Sequence, residues 1–413
     1  MMSESRAEDS GIPADYTTVQ RADVYKRGQL AAHLERTSGG VEFRYDDSWL
    51  ADSGSPVATS LPLTKDPLVA ASGAVPAFFA GLLPEGRRLS ALRRSVKTSV
   101  DDELSLVLAV GTDVIGDVQV VPEGIAPRRA GARVRVDDFA SINFGSLLEG
   151  LDIHVDESGI PGVQDKASLT MLSVPVSAAG SAYLLKLNPP EYPYVVENEH
   201  FFLTAARACG LDVADAHIVH DADGQTGLVV RRFDRIRSEG DELRALAVED
   251  GCQVLGLHPE AKYRVSTESV FKKLCSLCEA PIPAARILLS QLAFAYVSGN
   301  GDAHAKNFSI LQDTRGRWMP SPAYDMPTTL PYGDTTLALS IAGKRDGDVS
   351  AKRLIALGAE LGLPERAAER VLNDIASTVD TWIDGVDELP FDGGRLAKLK
   401  KTIARRQRML RTR

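Results

Sequence analysis

Between Thr17 and Gly124 the chain alternates short apolar and polar stretches with turn formers. Ala22-Asp-Val-Tyr-Lys, Gly28-Gln-Leu-Ala-Ala-His-Leu and Val41-Glu-Phe-Arg-Tyr are β-rich runs that predict a small antiparallel sheet. A helix is expected at Ala77-Phe-Phe-Ala-Gly-Leu-Leu, with Pro76 in its first turn and Pro84-Glu-Gly beyond its end. Val107 to Gly116 then runs into a strand at Asp117-Val-Gln-Val-Val. Further on, Ala167-Ser-Leu-Thr-Met-Leu and Tyr183-Leu-Leu-Lys-Leu read as strands, with Ser173 to Ser181 as the hairpin connection between them. Glu197 to Gly210 has the pattern of an amphipathic helix closed by glycine, and Gly227 to Arg235 returns to a strand. Beyond it the pattern is mostly helical: Ile282 to Ser298 carries apolar residues at helical spacing and stops at Gly299-Asn300-Gly301.

Strand patterns first and helical patterns afterwards make this an α+β chain. At 413 residues it exceeds the size at which one core keeps growing, so several units are expected. The reading divides it into a disordered start at 1–16, a β-rich subdomain at 17–124, a second lobe at 125–235 and a helical half at 236–413. A linker is placed across Pro122 to Ala132, where Pro, Gly, Ala and Arg cluster without period.

Composition narrows the class. Hydrophobic residues at 44% and charged residues at 25% exclude a wholly disordered or collagenous chain. A net charge of −9 argues against a protein that coats nucleic acid, while leaving room for a local basic patch. One candidate patch is Arg395 to Arg413, without an acid and with Leu396, Leu399, Ile403 and Leu410 at near-helical spacing. Such a helix suits an acidic partner or DNA phosphates, or is simply a solvated terminal helix. No apolar run approaches a membrane span, and Met1 to Ala14 is polar and acidic, so a cytoplasmic protein is expected. Four scattered cysteines are expected as reduced thiols, with Cys275 and Cys278 as core packing.

Candidate chemistry concentrates in Gly299-Asn-Gly-Asp-Ala-His-Ala-Lys-Asn-Phe-Ser. Asp302, Asn307 and the downstream Asp325 form the set that protein kinases use: a base for the acceptor hydroxyl and two magnesium ligands. An isolated Gly-Asp is equally a turn cap, and the weight comes from counting Asn307, Asp325 and Lys186 together. Lys306 is a candidate to steady the transferring phosphate or the base, or an exposed lysine. His304 lacks a second ligand at metal-binding spacing and is expected to support the loop.

Upstream, Gly159-Ile-Pro-Gly-Val-Gln-Asp-Lys offers Gly162, Val163, Gln164, Asp165 and Lys166 as a phosphate loop, or as a surface turn. Lys186 then supplies a point charge for the α/β-phosphates, or is a structural lysine. Glu199 near a helix start is placed to hold Lys186, or is a carboxylate favoured by the helix dipole. Arg231, Arg232 and Phe233 fall where a hinge would hydrogen-bond an adenine through the main chain.

Taken in order, seven pieces resemble the HipA-type toxins, serine/threonine kinases of bacterial type II toxin–antitoxin modules. They are Phe79-Ala-Gly-Leu-Leu-Pro-Glu-Gly with Gly111 to Val120, Pro161-Gly-Val-Gln-Asp-Lys, Leu185-Lys-Leu, Arg232-Phe-Asp-Arg, Glu249-Asp-Gly-Cys-Gln, Gly301-Asp-Ala-His-Ala-Lys-Asn-Phe-Ser and Tyr324-Asp325. The resemblance runs from about Tyr25 to the C-terminal helix. It implies a two-lobed protein-kinase-like fold with an extra N-terminal β subdomain and an all-helical C-lobe. It also implies Asp302 as base, Asn307 and Asp325 on Mg2+, Lys186 on ATP, and Gly162 to Lys166 on the phosphates. The expected substrate is a protein serine, in known cases on an aminoacyl-tRNA synthetase, with growth arrest and persistence as the outcome. Expected partners are a small DNA-binding antitoxin of the HipB type and, through it, operator DNA. The family's autophosphorylated serine is replaced here by Gly159, leaving the adjacent Ser158 as the candidate regulatory site. Two other readings stay open: a small-molecule kinase, and a catalytically silent co-repressor.

Overall fold

The computed structural model describes residues 15–52, 54–71, 73–127, 134–149, 171–178, 181–237 and 243–412. The first five strands are β1 (Arg21–Lys26), β2 (Gln29–Thr37), β3 (Gly40–Tyr45), β4 (Leu68–Ala71) and β5 (Val118–Pro122), in a sheet of order β4-β3-β2-β1-β5. Arg27 and Gly28, both at positive φ, make the tight turn between β1 and β2 whose twist matches the strands. Ala22, Val24, Leu34, Val41 and Phe43 line the buried face. Between β3 and β5 lie the short helices α1 (Asp47–Ala51) and α2 (Ala77–Ala80), followed by α3 (Gly86–Val96) and α4 (Glu103–Val110). Phe78, Phe79, Leu104, Val107 and Leu108 from α2 and α4 close the core over that face.

A second sheet has the order β6-β7-β8-β10-β9, from β6 (Val134–Arg135), β7 (Leu172–Ala178), β8 (Ser181–Leu187), β9 (Ala216–His220) and β10 (Thr226–Arg231). Its helices are α5 (Phe144–Glu149) and α6 (Val195–Ala208), and α6 packs on β9 and β10. Here the structure corrects the sequence reading, because Ser173 to Ser181 is mostly strand rather than connection. Leu172 to Ala178 pairs residue by residue with β8. Val174 and Val176 are buried between half-exposed neighbours, the alternation of a strand. Pro175 is tolerated because β7 is almost an edge: its other neighbour, β6, pairs only at Val176 and Ser177.

The remaining chain starts with a hairpin, β11 (Arg235–Arg237) with β12 (Leu243–Ala245), and then β13 (Val248–Asp250). Helices α7 (Gly251–Val254), α8 (Thr267–Leu277), α9 (Pro281–Ser298), α10 (Ala351–Glu360), α11 (Glu365–Thr378) and α12 (Gly393–Leu410) surround the largest core. This half is not all-helical. β13 pairs with β14 (Ser309–Gln312), which pairs with β15 (Trp318–Pro320), so a short antiparallel sheet follows the Gly299–Phe308 loop. The C-terminal helix α12 is docked rather than solvated: Leu396, Leu399, Ile403 and Leu410 are buried in the core. Its buried Arg406 donates to the Tyr296 carbonyl at 2.8 Å. Several of its outer cations are already paired, Lys400 with Asp384 and Asp387, and Arg405 with Asp348. Cys252, Cys275 and Cys278 are buried free thiols.

Candidate active site

The end of α9 sets the geometry of the loop that follows. Gly299 adopts φ +83°, and a Cβ there would lie 2.3 Å from Leu330 Cδ1, so only glycine turns the chain at this point. Asn300 Oδ1 then accepts from the Asp302 amide at 2.9 Å, while its Nδ2 donates to the Asp325 carbonyl at 3.2 Å. Asn307 Nδ2 donates to the Asp302 carbonyl at 3.0 Å and closes the loop on itself. Asp302 is thereby held in a buried position with 9% exposure. Burial raises its pKa to about 7; the Tyr263 hydroxyl, 2.5 Å from Oδ1, opposes the rise and the charge on Asp325 adds to it. A carboxylate poised near neutrality suits a general base.

Facing this loop, β8 and α6 bring Lys186 and Glu199 together. Lys186 Nζ lies 2.7 and 2.9 Å from the two Glu199 oxygens and 3.2 Å from Asp325 Oδ1. Burial alone would lower the lysine's pKa, but Asp325 and Glu199 overcome it and keep the ammonium protonated. Asp325 stands at φ +56°, an uncommon conformation for a residue with a Cβ and a cost of order 1 kcal/mol. Two hydrogen bonds, Asn198 Nδ2 to the Thr328 carbonyl and the Thr328 amide to Asn198 Oδ1, each 2.9 Å, fix α6 to the segment after Asp325. Lys186 and Glu199 are thus in contact, and Asp325, expected on magnesium with Asn307, also touches Lys186.

Lys306 is neither exposed nor free. Its Nζ is 3.0 Å from Glu85 Oε1 and 3.8 Å from Asp250 Oδ2, and it donates to the Gly81 carbonyl at 3.2 Å. Glu85 pairs with Lys262 as well. Burial would raise the Glu85 pKa, yet Lys306 and Lys262 pull it down to about 2. A capping box explains the Glu249-Asp-Gly-Cys-Gln run: Asp250 accepts from the Cys252 and Gln253 amides, and Gln253 answers to the Asp250 amide. Glu249 accepts from the Thr59 amide at 2.8 Å, and Gln253 Nε2 donates to the Phe78 carbonyl at 3.0 Å, so the same run fastens the first sheet's unit to the catalytic loop. His304 is buried with Nδ1 lacking a hydrogen-bond partner among the described residues, and burial holds its pKa down to about 3. Its ring meets that of Tyr263 edge-on at 5.2 Å.

In the Arg231, Arg232 and Phe233 stretch, expected as a hinge, two of the three amides are paired within the protein. The Arg231 amide donates to Asp215 O at 2.7 Å and the Arg232 amide to Ala182 O at 2.9 Å, so both are already committed. Arg232 turns its guanidinium into a buried network with Asp234 and Asp113, 2.8 Å from each, while Asp234 accepts from the Gly116 amide. Its role is to join the two sheets' units. Phe233 tilts against Tyr324 at 5.7 Å. Gly162, Val163, Gln164, Asp165, Lys166 and the candidate Ser158 lie outside the described residues. Sequence reading missed Tyr263 and any role for Glu85; the motif around Glu85 was a signal for the second, whereas the hydroxyl on Asp302 had none.

A strand-rich half presenting a lysine–glutamate pair, set against a helical half presenting Asp302, Asn307 and Asp325, defines a two-lobed kinase with an additional N-terminal β unit. Residues 158–383 match the HipA-like C-terminal domain, and residues 22–121 match the HipA N-terminal domain. The putative kinase Y4mE of Sinorhizobium fredii is 30% identical, over 95% of this chain and 99% of its own. The serine/threonine-protein kinase toxin HipA of Shewanella oneidensis is 28% identical, over 85% of this chain and 87% of its own. Among solved structures, the Shewanella oneidensis HipA, HipB and operator DNA complex matches with a TM-score of 0.74 at 24% identity, covering 94% of this chain and 96% of that one. The chain belongs to the HipA family of serine/threonine kinases, enzymes that use ATP.

Proposed function

We propose that this chain transfers the γ-phosphoryl group of ATP to a protein serine or threonine with the help of Mg2+, and that it serves as the toxin of a toxin–antitoxin pair. The observation that carries the catalytic part is Asp302: a buried carboxylate with a pKa raised to about 7, fixed by Asn307, in a protein whose Lys186 is held by Glu199. Asp302 accepts the proton of the acceptor hydroxyl while the new oxygen–phosphorus bond forms and the bond to the β-phosphate oxygen breaks, leaving ADP. Lys186 offsets negative charge on the α/β-phosphates, and Glu199 keeps it aimed.

Asn307 and Asp325 fit a magnesium site. With its Nδ2 donated to the Asp302 carbonyl, Asn307 leaves Oδ1 as the available ligand atom. Among the described residues no group of three or more His, Cys, Asp or Glu forms a metal cage, which suits an ion that shares its ligands with phosphates and water. Bound there, the ion would neutralise charge on the phosphates.

The toxin role is supported by the likeness to the serine/threonine-protein kinase toxin HipA of Shewanella oneidensis and by the fold shared with a complex of HipA, HipB and operator DNA. By that likeness the partners of this chain are a small DNA-binding antitoxin and, through it, operator DNA, with an aminoacyl-tRNA synthetase the first protein substrate to try. No helix among the described residues is long and apolar enough to cross a membrane, and cytoplasmic action belongs to the same proposal.

The test is γ-labelled ATP with magnesium in a bacterial lysate, comparing the wild type with Asp302→Asn. A discrete labelled band that requires the wild type is the expected result. Absence of label alongside intact ATP binding would favour a silent co-repressor.

A further inference from the structure

Among the described residues, the first contact of the base is a tyrosine. Tyr263 Oη lies 2.5 Å from Asp302 Oδ1 and donates its proton to it, whereas Oδ2 has no hydrogen-bond partner among the described residues. The carboxylate is therefore gripped on one oxygen and left open on the other. A carboxylate can rotate about its terminal bond, and a single strong donor on one oxygen is enough to select one orientation.

The platform beneath Tyr263 is braced from three directions. Its carbonyl accepts from the Arg345 guanidinium, and the carbonyl of the preceding residue, Lys262, accepts from the Ala305 amide of the catalytic loop at 3.2 Å. Lys262 places its ammonium 5.2 Å from the centre of the Tyr263 ring and pairs with Glu85 from the first sheet's unit. The ring also meets His304 edge-on at 5.2 Å. A surface tyrosine with no task would not be clamped through its backbone, its ring and its hydroxyl together.

We infer that Tyr263 is a positioning residue for phosphoryl transfer, holding Oδ1 of Asp302 so that Oδ2 faces the acceptor hydroxyl. Tyr263 acts through Asp302, touching neither nucleotide nor acceptor, so its loss should appear in kcat and leave both KM values in place. This rests on Asp302 being the base, as proposed above.

The experiment measures steady-state transfer by the full chain to its labelled protein substrate, or to itself, for wild type, Tyr263→Phe, Asp302→Asn and the double variant. Tyr263→Phe keeps the ring against His304 and Lys262, and a thermal melt confirms that it folds. The expected result is a kcat reduced roughly 10- to 100-fold with both KM values within about twofold of wild type. In the residual transfer of Asp302→Asn, read in single-turnover reactions with excess enzyme, Tyr263→Phe should cost nothing further, because the group it orients is gone. An additive loss in the double variant would show that Tyr263 acts elsewhere and overturn the inference. A lower acceptor KM with kcat kept or raised would overturn it differently, by showing that the hydroxyl competes with the acceptor for the base. If wild type transfers no phosphate at all, the base assignment falls and this inference with it; if wild type is active and Tyr263→Phe matches it, only the role of Tyr263 falls.

Discussion

Asp302 shows how burial that serves chemistry costs stability. Its pKa is about 7 in the folded protein against an ordinary carboxyl value near 4 in the unfolded chain. The fold therefore favours the protonated acid, and that contribution is complete below about pH 4 and is lost as pH rises through about 7. Above neutrality the nucleotide-free protein carries a buried, ionised carboxylate. Asp302→Asn should be nearly neutral for stability at about pH 4 and stabilising at about pH 8, by up to roughly 3 kcal/mol, read from melts of the apo protein in chelator. A melting difference that did not grow with pH would contradict the shift. Lys186 behaves in the opposite way, because its removal strands the buried Glu199 carboxylate and leaves the half-buried Asp325 without its cation: Lys186→Ala should destabilise by roughly 2 to 3 kcal/mol and abolish ATP-dependent labelling. Both residues were legible in the sequence, Asp302 through its spacing to Asn307 and Lys186 through its strand. Tyr263 was not, since a phenol acting on a carboxylate from a distant loop leaves no local pattern.

Many elements were readable from their pattern, whereas α4 and β7 were not. The runs at β1, β2 and β3 are strands, and α9 stops at Gly299 as the glycine cluster indicates. Helix α4 escaped notice because Leu104 to Ala109 are all buried, which erases the polar face that marks a helical period. The strand β7 has the sequence of a turn because Pro175 and nearby small residues carry turn chemistry, and only its near-edge position in the sheet makes them acceptable. The end of α9 offers an element-scale test. Gly299→Ala would force a Cβ into Leu330 at a left-handed φ, so a loss of about 1 to 3 kcal/mol is expected together with reduced transfer, measured as a lower Tm and a lower kcat. An unchanged Tm would mean that the helix end adjusts without strain.

At the scale of the whole molecule, the N-terminal β unit is coupled to the catalytic loop by buried charge, a link that sequence spacing cannot display because its members come from distant segments. Glu85 neutralises Lys262 and Lys306, Glu249 holds Thr59, and Arg232 with Asp234 holds Asp113 and Gly116. Had the first sheet been a passive attachment, its contacts would be apolar and remote from Asp302. Instead Glu85 bridges Lys306, four residues beyond Asp302, and Lys262, which adjoins Tyr263. The depressed Glu85 pKa, about 2, gives the sign: its contribution to stability is present above the ordinary glutamate pKa and is lost as pH falls toward about 2. Glu85→Gln removes the anion shared by the part-buried ammonium groups of Lys262 and Lys306, a change worth roughly 1 to 3 kcal/mol for lost charge-assisted hydrogen bonds. We expect Glu85→Gln to lower Tm and kcat while ATP affinity holds, since Lys186 and Glu199 sit on other elements. Pairing it with Lys306→Met relieves one of the stranded charges and should return part of the lost stability without returning activity. Equal losses in ATP affinity and in kcat would instead mean that the β unit supports both lobes alike, and the electrostatic link from Glu85 to the catalytic loop would lose its claim to be specific.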